Sequence, residues 1–235
     1  MKKIIFTTLV LIMTVSVAYA AKKKAVPFKP VTEKQKALYG VGLVLARQLE
    51  VFDLTPEEFR IVKLGMNDAL KGKSKVDFAV YSKKSQNLAT ARRDARGRKL
   101  APLVPVFMAH EAAKEGAVET ASGLIYRSIK EGEGPSPAPE DKIKVHYRAT
   151  LIDGKEVEST YKAGEPDELV LNEFMKCLVE GIQMMKQGGK AKMICPPEIA
   201  LGKEGNGIIP PDATVVFDLE LLDVQKGQSN QDESE

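Results

Sequence analysis

The sequence predicts an α+β protein, a helical N-terminal part followed by an antiparallel sheet that carries one short helix. Apolar residues recur at helical spacing from residue 32 to about 115, and from Thr120 they recur at every second position. Gly, Pro and Asp clusters punctuate the alternating runs, as strands joined by tight turns require. At 235 residues the chain has room for two small domains. The expected division is a signal peptide at 1–20, a helical dimerisation domain with connecting helix at 21–118, a sheet domain at 119–226 and a disordered polar tail at 227–235.

The chain begins with a targeting pattern. Lys2 and Lys3 form a basic start, Ile4 to Ala18 is almost wholly apolar, and Ala18-Tyr19-Ala20 supplies a small-residue cleavage site. The apolar run is too short for a bilayer span, no later stretch approaches that length, and no cysteine follows the cleavage site. The mature chain is expected to start at Ala21 and to reside in a bacterial periplasm. The formal charge is +3, and removing Lys2 and Lys3 leaves +1. With both signs interspersed, no nucleic-acid surface is implied, and Lys22-Lys23-Lys24 reads as a solvated flank.

Thr32-Glu33-Lys34-Gln35 is a capping box, in which the Thr hydroxyl and the Gln amide each satisfy an orphan N–H. Leu38, Val41, Leu45 and Leu49 then share one helical face. Thr55-Pro56-Glu57-Glu58 repeats the start signal, Phe59, Val62, Met66 and Leu70 follow on one face, and Gly72 ends the helix. A third helix is expected from Asp77 to Arg96. Pro102 and Pro105 each remove a helix donor, so a break is expected there, followed by a shorter helix from about Val106 to Lys114. Two short amphipathic helices bury too little surface alone, which points to pairing between chains; packing on their own sheet domain is the alternative.

Beyond Thr120, Leu124–Ile129 reads as a strand, and residues 132–139 as a proline-rich loop. Ile143–Leu151 alternates as a half-buried strand with Asp153-Gly154 as its hairpin turn. Phe174 to Met185 is expected to be the one helix, and Lys190–Ile194 and Thr214–Val224 further strands. Cys177 and Cys195 could pair in an oxidising compartment or remain two thiols; their sequence positions leave both open. With two Cys and two distant His, no metal site is supported.

The runs Val145-His146-Tyr147, Leu151-Ile152-Asp153-Gly154-Lys155, Glu180-Gly181-Ile182, Gly207 to Thr214 and Phe217 to Leu222 follow one another in a particular order and spacing. Through them, residues 120–225 resemble the FKBP-type peptidyl-prolyl isomerase domain. Leu38-Tyr39-Gly40-Val41-Gly42-Leu43 is similar to the first dimerisation helix of its secreted, two-domain FkpA/Mip-like subfamily. The resemblance implies a proline-reading pocket with no cofactor and no metal. Rotation about a peptide bond meets a barrier of about 18–20 kcal/mol because twisting sacrifices amide resonance. A catalyst of that step holds the prolyl ring in an apolar slot, excludes water and hydrogen-bonds the twisted amide.

Carried over by position, the resemblance makes Tyr147 and Phe217 walls of the slot and Ile209 part of its rim. Phe174 and Met175 fall at two aliphatic positions beside it, with the Met175 N–H as donor to a substrate carbonyl. Tyr147, Glu158 and Phe217 are thus the expected catalytic residues. Val157, Phe174, Met175, Leu178, Leu201 and Ile209 are the expected substrate-binding residues. Several depart from the family pattern: Val157-Glu158 replaces a Phe-Asp pair, Leu178 the Trp of the pocket floor, and Leu201 the Tyr of an Ala-Tyr-Gly motif. Asp167 stands where the family often has Phe. His146 alternates to the opposite face from Tyr147 and reads as structural, and Gly188-Gly189-Lys190 lacks the spacing of a phosphate loop. The expected function is a dimeric isomerase acting on unfolded or proline-containing polypeptides. The alternative is a catalytically silent relative that serves as a periplasmic chaperone or binding module.

Overall fold

The computed structural model describes residues 29–227. The expected signal peptide, Lys22-Lys23-Lys24 and the tail beyond Gly227 lie outside that range. The described chain falls into two compact units, one up to Val44 and one from Leu45 onward.

Local start signals fix the first helices. Helix α1 spans Glu33–Gln48, and its capping box forms as expected: Gln35 N donates to Thr32 Oγ1 at 3.2 Å, and Thr32 N donates to Gln35 Oε1 at 3.1 Å. Helix α2 spans Pro56–Leu70 behind the reciprocal Thr55–Glu58 box, and Gly72, at φ +63°, turns the chain away where a side chain is disfavoured. Neither helix buries a residue; α2 leaves Ile61, Leu64 and Leu70 exposed.

Helix α3 spans Phe78–Leu100, so it runs four residues beyond the expected end at Arg96. Tertiary partners explain the extension, because Arg96 pairs with Asp53 and Asp153 and Leu100 is buried. The break at the prolines is a single 3-10 turn over Ala101–Leu103, and α4 follows at once as Val104–Ala112. Each proline lies in the first turn of its segment, where its missing N–H leaves nothing unpaired. Ala101 and Val104, which precede them, keep right-handed helical dihedrals.

The sheet has seven strands: β1 Ala117–Glu119, β2 Ile125–Lys130, β3 Lys142–Leu151, β4 Glu156–Ser159, β5 Asp167–Val170, β6 Lys190–Cys195 and β7 Val215–Gln225. The order is β1-β2-β6-β7-β3-β4 with β5 also on β3, and every pairing is antiparallel. β1, β5 and the one-turn helix α5 (Thr160–Ala163) are additions to the sequence expectation, too short for a period to show. On β3, Ile143, Val145, Tyr147, Ala149 and Leu151 point to the core while the residues between them do not. That alternation places Tyr147 opposite Leu219 and Ala149 opposite Phe217 on β7.

Helix α6 packs against β6. It spans Lys176–Gln183, shorter than the expected Phe174–Met185, because Met175 takes an extended conformation at its N-cap and Met184 is already the C-cap. Cys177, Leu178, Gly181 and Ile182 turn inward. Gly181 is required by proximity: a Cβ there would sit 2.6 Å from Met193 Sδ on β6. Beside that contact Cys177 and Cys195 form a disulfide with Cα atoms 5.8 Å apart, which stitches α6 to β6. On the other face Phe107, Met108 and Ala112 of α4 pack over Ile125, Ile194 and Val216. The proline-rich loop is held by buried Asp141, whose side chain accepts from Ala138 N at 2.7 Å, Gly227 N at 3.0 Å and Lys226 Nζ at 2.8 Å.

Candidate active site

The inward residues of β3 and β7 bring Tyr147 and Phe217 together, with ring centroids 6.0 Å apart and planes at 61°. This edge-to-face contact is the favoured geometry for two aromatic quadrupoles. Val157, Leu178 and Ile209 join them in the same core cluster, and Phe174, Met175 and Leu201 pack partly buried against it. The expected apolar residues thus share one core, from five separate stretches of chain.

Of these residues, Tyr147 and Val157 line an open cleft of about 240 Å³, with Ile208 and a charged wall of Arg47, Glu50, Glu156, Glu158, Lys162 and Asp167. The two isoleucines of the Gly-Ile-Ile run divide their labour: Ile208 faces the cleft, and Ile209 is 4% exposed and belongs to the core. Phe217 and Leu178 are 2% exposed and belong to the core rather than to the cleft lining. Glu158 is exposed at the cleft wall. Met175 caps α6 with an extended backbone, and its N–H makes no backbone hydrogen bond among the described residues.

Tyr147 is fixed at both ends. Its hydroxyl donates to Asp167 Oδ2 at 3.0 Å. Its backbone N–H donates to Thr160 Oγ1 at 2.9 Å, and the same Thr hydroxyl donates to the Tyr147 carbonyl at 3.1 Å. Burial, reinforced by the negative charges of Glu158 and Asp167, pushes the Tyr147 phenol well above its ordinary range. It therefore stays a neutral donor at any working pH. His146 points to the other face, stacked on Tyr161 at 4.5 Å and hydrogen-bonded through Nδ1 to Thr160.

The loop that carries the isoleucines is held by Asn206, whose Oδ1 accepts from Ile208 N at 3.1 Å and Ile209 N at 2.9 Å. Helix α3 braces it from outside: Arg93 Nη1 donates to Asn206 O at 2.9 Å, and a Cβ on Gly97 would meet Pro210 Cβ at 2.7 Å.

Three contributors lie outside the sequence expectation. Thr160 orients Tyr147, yet an isolated Thr after a strand carries no signal of that role. Arg47 from the last turn of α1 and Glu50 from the turn after it reach the cleft, and no sequence pattern links them to Tyr147. Chemically, a cleft that sets a fixed, neutral phenol beside Val157 and Ile208 and holds no nucleophile–base pair suits a conformational reaction rather than nucleophilic chemistry. Among the described residues no helix is long and apolar enough to cross a membrane.

Comparison with known proteins agrees with this geometry. Residues 134–222 match the family described as FKBP-type peptidyl-prolyl cis-trans isomerase, and residues 34–127 match the domain amino-terminal to it. The chain is 35% identical over 230 residues to the FKBP-type peptidyl-prolyl cis-trans isomerase FkpA of Escherichia coli K12, covering 88% of this chain and 81% of that one. It is likewise 35% identical over 198 residues to the FKBP-type 22 kDa peptidyl-prolyl cis-trans isomerase of the same organism, covering 82% and 96%. The crystal structure of Escherichia coli FkpA superposes with a TM-score of 0.55 at 30% identity, over 84% of this chain and 99% of that one. With a helical region before an antiparallel sheet domain and these relatives along most of its length, the chain belongs to the FKBP-type peptidyl-prolyl cis-trans isomerases.

Proposed function

We propose that this isomerase twists Xaa-Pro bonds of exported polypeptides in the cleft above Tyr147 and Phe217. The observation that carries the reading is the Tyr147–Phe217 pair, of which Tyr147 lines the open cleft with its phenol held neutral. The prolyl ring packs against the Tyr147–Phe217 pair near Leu178, with Val157, Phe174, Leu201 and Ile209 completing the apolar surround. The Met175 N–H is the donor to a substrate carbonyl, and Glu158 acts at the cleft wall. Removing the amide from water favours the twisted state, in which the C–N bond has lost its double-bond character and with it much of its polarity.

The apolar rows on α1 and α2 support a homodimer through residues 21–118, with 119–226 as the isomerase domain. The N-terminal leader pattern supports a periplasmic location. The test is cis-to-trans isomerisation of short Xaa-Pro peptides by the mature protein. Acceleration proportional to enzyme and lost in Tyr147→Ala, with the fold intact, upholds the site. Unchanged rates in that variant remove the cleft from consideration. A flat response from well-folded protein moves the function to holding unfolded chains.

A further inference from the structure

On the edge of β3 away from β7, β4 pairs from Arg148 onward and β5 pairs up to Val145. His146 and Tyr147 lie between the two without a strand partner on that side. One hydroxyl fills the gap. Thr160, the buried first residue of α5, accepts from Tyr147 N through Oγ1 at 2.9 Å and donates to Tyr147 O at 3.1 Å. Its side chain thus stands in for the missing ladder pair at the tyrosine that lines the cleft.

A third polar atom meets the same oxygen: His146 Nδ1 lies 2.9 Å from Thr160 Oγ1. A hydroxyl has one proton and two lone pairs. The proton goes to the Tyr147 carbonyl and one lone pair takes the Tyr147 N–H, so the ring must donate, and Nδ1 carries the hydrogen. With the hydrogen on Nε2 instead, Nδ1 would compete for the Thr160 proton, and a buried carbonyl would lose its partner. Tyr161 keeps the ring in place by stacking on it at 4.5 Å and 15°, and the Tyr161 hydroxyl lies 3.4 Å from Glu220, which pairs with Lys190.

We propose that His146 is a positioning residue of this isomerase, which fixes Tyr147 in the cleft from the far face of the sheet by donating from Nδ1 to Thr160. The proposal rests on the Tyr147 cleft being the prolyl site. The donated bond leaves the Thr160 proton no acceptor but the Tyr147 carbonyl, so the tyrosine main chain is clamped at both its polar atoms. Asp167 holds the phenol at the other end. A donor fixed before substrate arrives needs no reorganisation as the amide twists, so the contribution falls on kcat rather than on KM.

The experiment compares His146→Phe, which keeps a ring to stack on Tyr161 but no donor, with His146→Asn, whose amide N–H stands in for Nδ1. With short Xaa-Pro peptides, His146→Phe and Thr160→Val should lower kcat by up to about tenfold and change KM less than about twofold, the scale of one lost hydrogen bond. His146→Asn and Thr160→Ser should recover most of that loss. A folded His146→Phe that melts lower yet keeps its kcat would make the ring a support of the fold alone, and the proposal fails. It fails equally if the Asn variant is no faster than the Phe variant. Unaltered protein gives a reading that needs no variant to fold. The chain has two histidines, His110 and His146, so labelled imidazole nitrogens are few enough to assign. At about pH 8, above the ordinary histidine range, the His146 hydrogen should be found on Nδ1; its presence on Nε2 overturns the proposal. If unaltered protein accelerates no peptide, the proposed function fails instead, and hydrogen exchange of the Tyr147 backbone amide decides the positioning. Exchange that quickens in His146→Phe and slows again in His146→Asn upholds it, and equal exchange in all three proteins overturns it.

Discussion

The Tyr147 hydroxyl donates to Asp167 Oδ2 at 3.0 Å, so the phenol at the cleft is held by a carboxylate where the family often carries a Phe. The bond orients the donor and, with burial and Glu158, keeps it protonated.

Isomerisation should accordingly show no tyrosine-linked fall between pH 6 and about pH 10, the ordinary tyrosine range. In the folded protein the tyrosinate absorbance that rises near pH 10 should be the same for wild type and Tyr147→Phe; a difference there would show Tyr147 titrating normally. Because the folded pKa is raised, the stability linked to this proton is complete below about pH 10 and declines as pH rises further. Thermal melts of the two proteins across that alkaline range should diverge in this sense.

Loss of one hydroxyl donor is worth roughly 0.5–1.5 kcal/mol, up to about tenfold in rate. Leu201 is half-buried against the core cluster at the position of a family tyrosine. Leu201→Tyr should therefore raise kcat/KM for short Xaa-Pro peptides by up to about tenfold. An unchanged or lower rate in a folded variant would mean that its hydroxyl does not reach the amide.

The Cys177–Cys195 bridge joins residues 18 apart in sequence, and constraining a loop of that length stabilises by about 3 kcal/mol in the chain-entropy account. The double variant Cys177→Ala/Cys195→Ala should lose stability on that scale in urea unfolding, and adding reductant should not destabilise it further. Equal midpoints for oxidised wild type and variant would show that the bridge contributes nothing to stability.

Arg92 holds Glu58 by a paired side-chain contact, and Thr55 adds a backbone hydrogen bond, which together draw the Glu58 carboxyl down to about 2. A depressed acid stabilises the fold above its unfolded pKa, and that contribution is lost as pH falls through the folded value. Helical ellipticity should show an acid transition between about pH 4.5 and 2 that is reduced in Glu58→Gln. An identical acid limb in that variant would remove the pair from the account.

The parts of this protein that were legible in sequence share a physical cause: local codes and long alternations. The Thr32 and Thr55 boxes and the alternation of β3 each depend on residues within one element, so reading them requires no tertiary knowledge. The family register picked out Tyr147, Val157, Phe217 and Leu178, which all lie in the buried core of the sheet domain. What escaped the sequence depends on distant chain. Helix α3 outruns its pattern because Arg96 finds Asp53 and Asp153. Ile208 rather than Ile209 faces the cleft because Asn206 sets the loop's turn. Thr160 serves Tyr147 from thirteen residues away with no motif to announce it.

The aliphatic floor at Leu178 also governs what light can report. The chain contains no Trp, so its near-ultraviolet emission is dominated by tyrosine, six in the full sequence and five from Ala21 onward. Leu178→Trp would place the protein's single indole at the buried position where the family carries its pocket Trp, against a dark background. Its emission colour and quenching would follow water entering or leaving that one spot, turning each peptide's arrival into an optical signal without an attached dye.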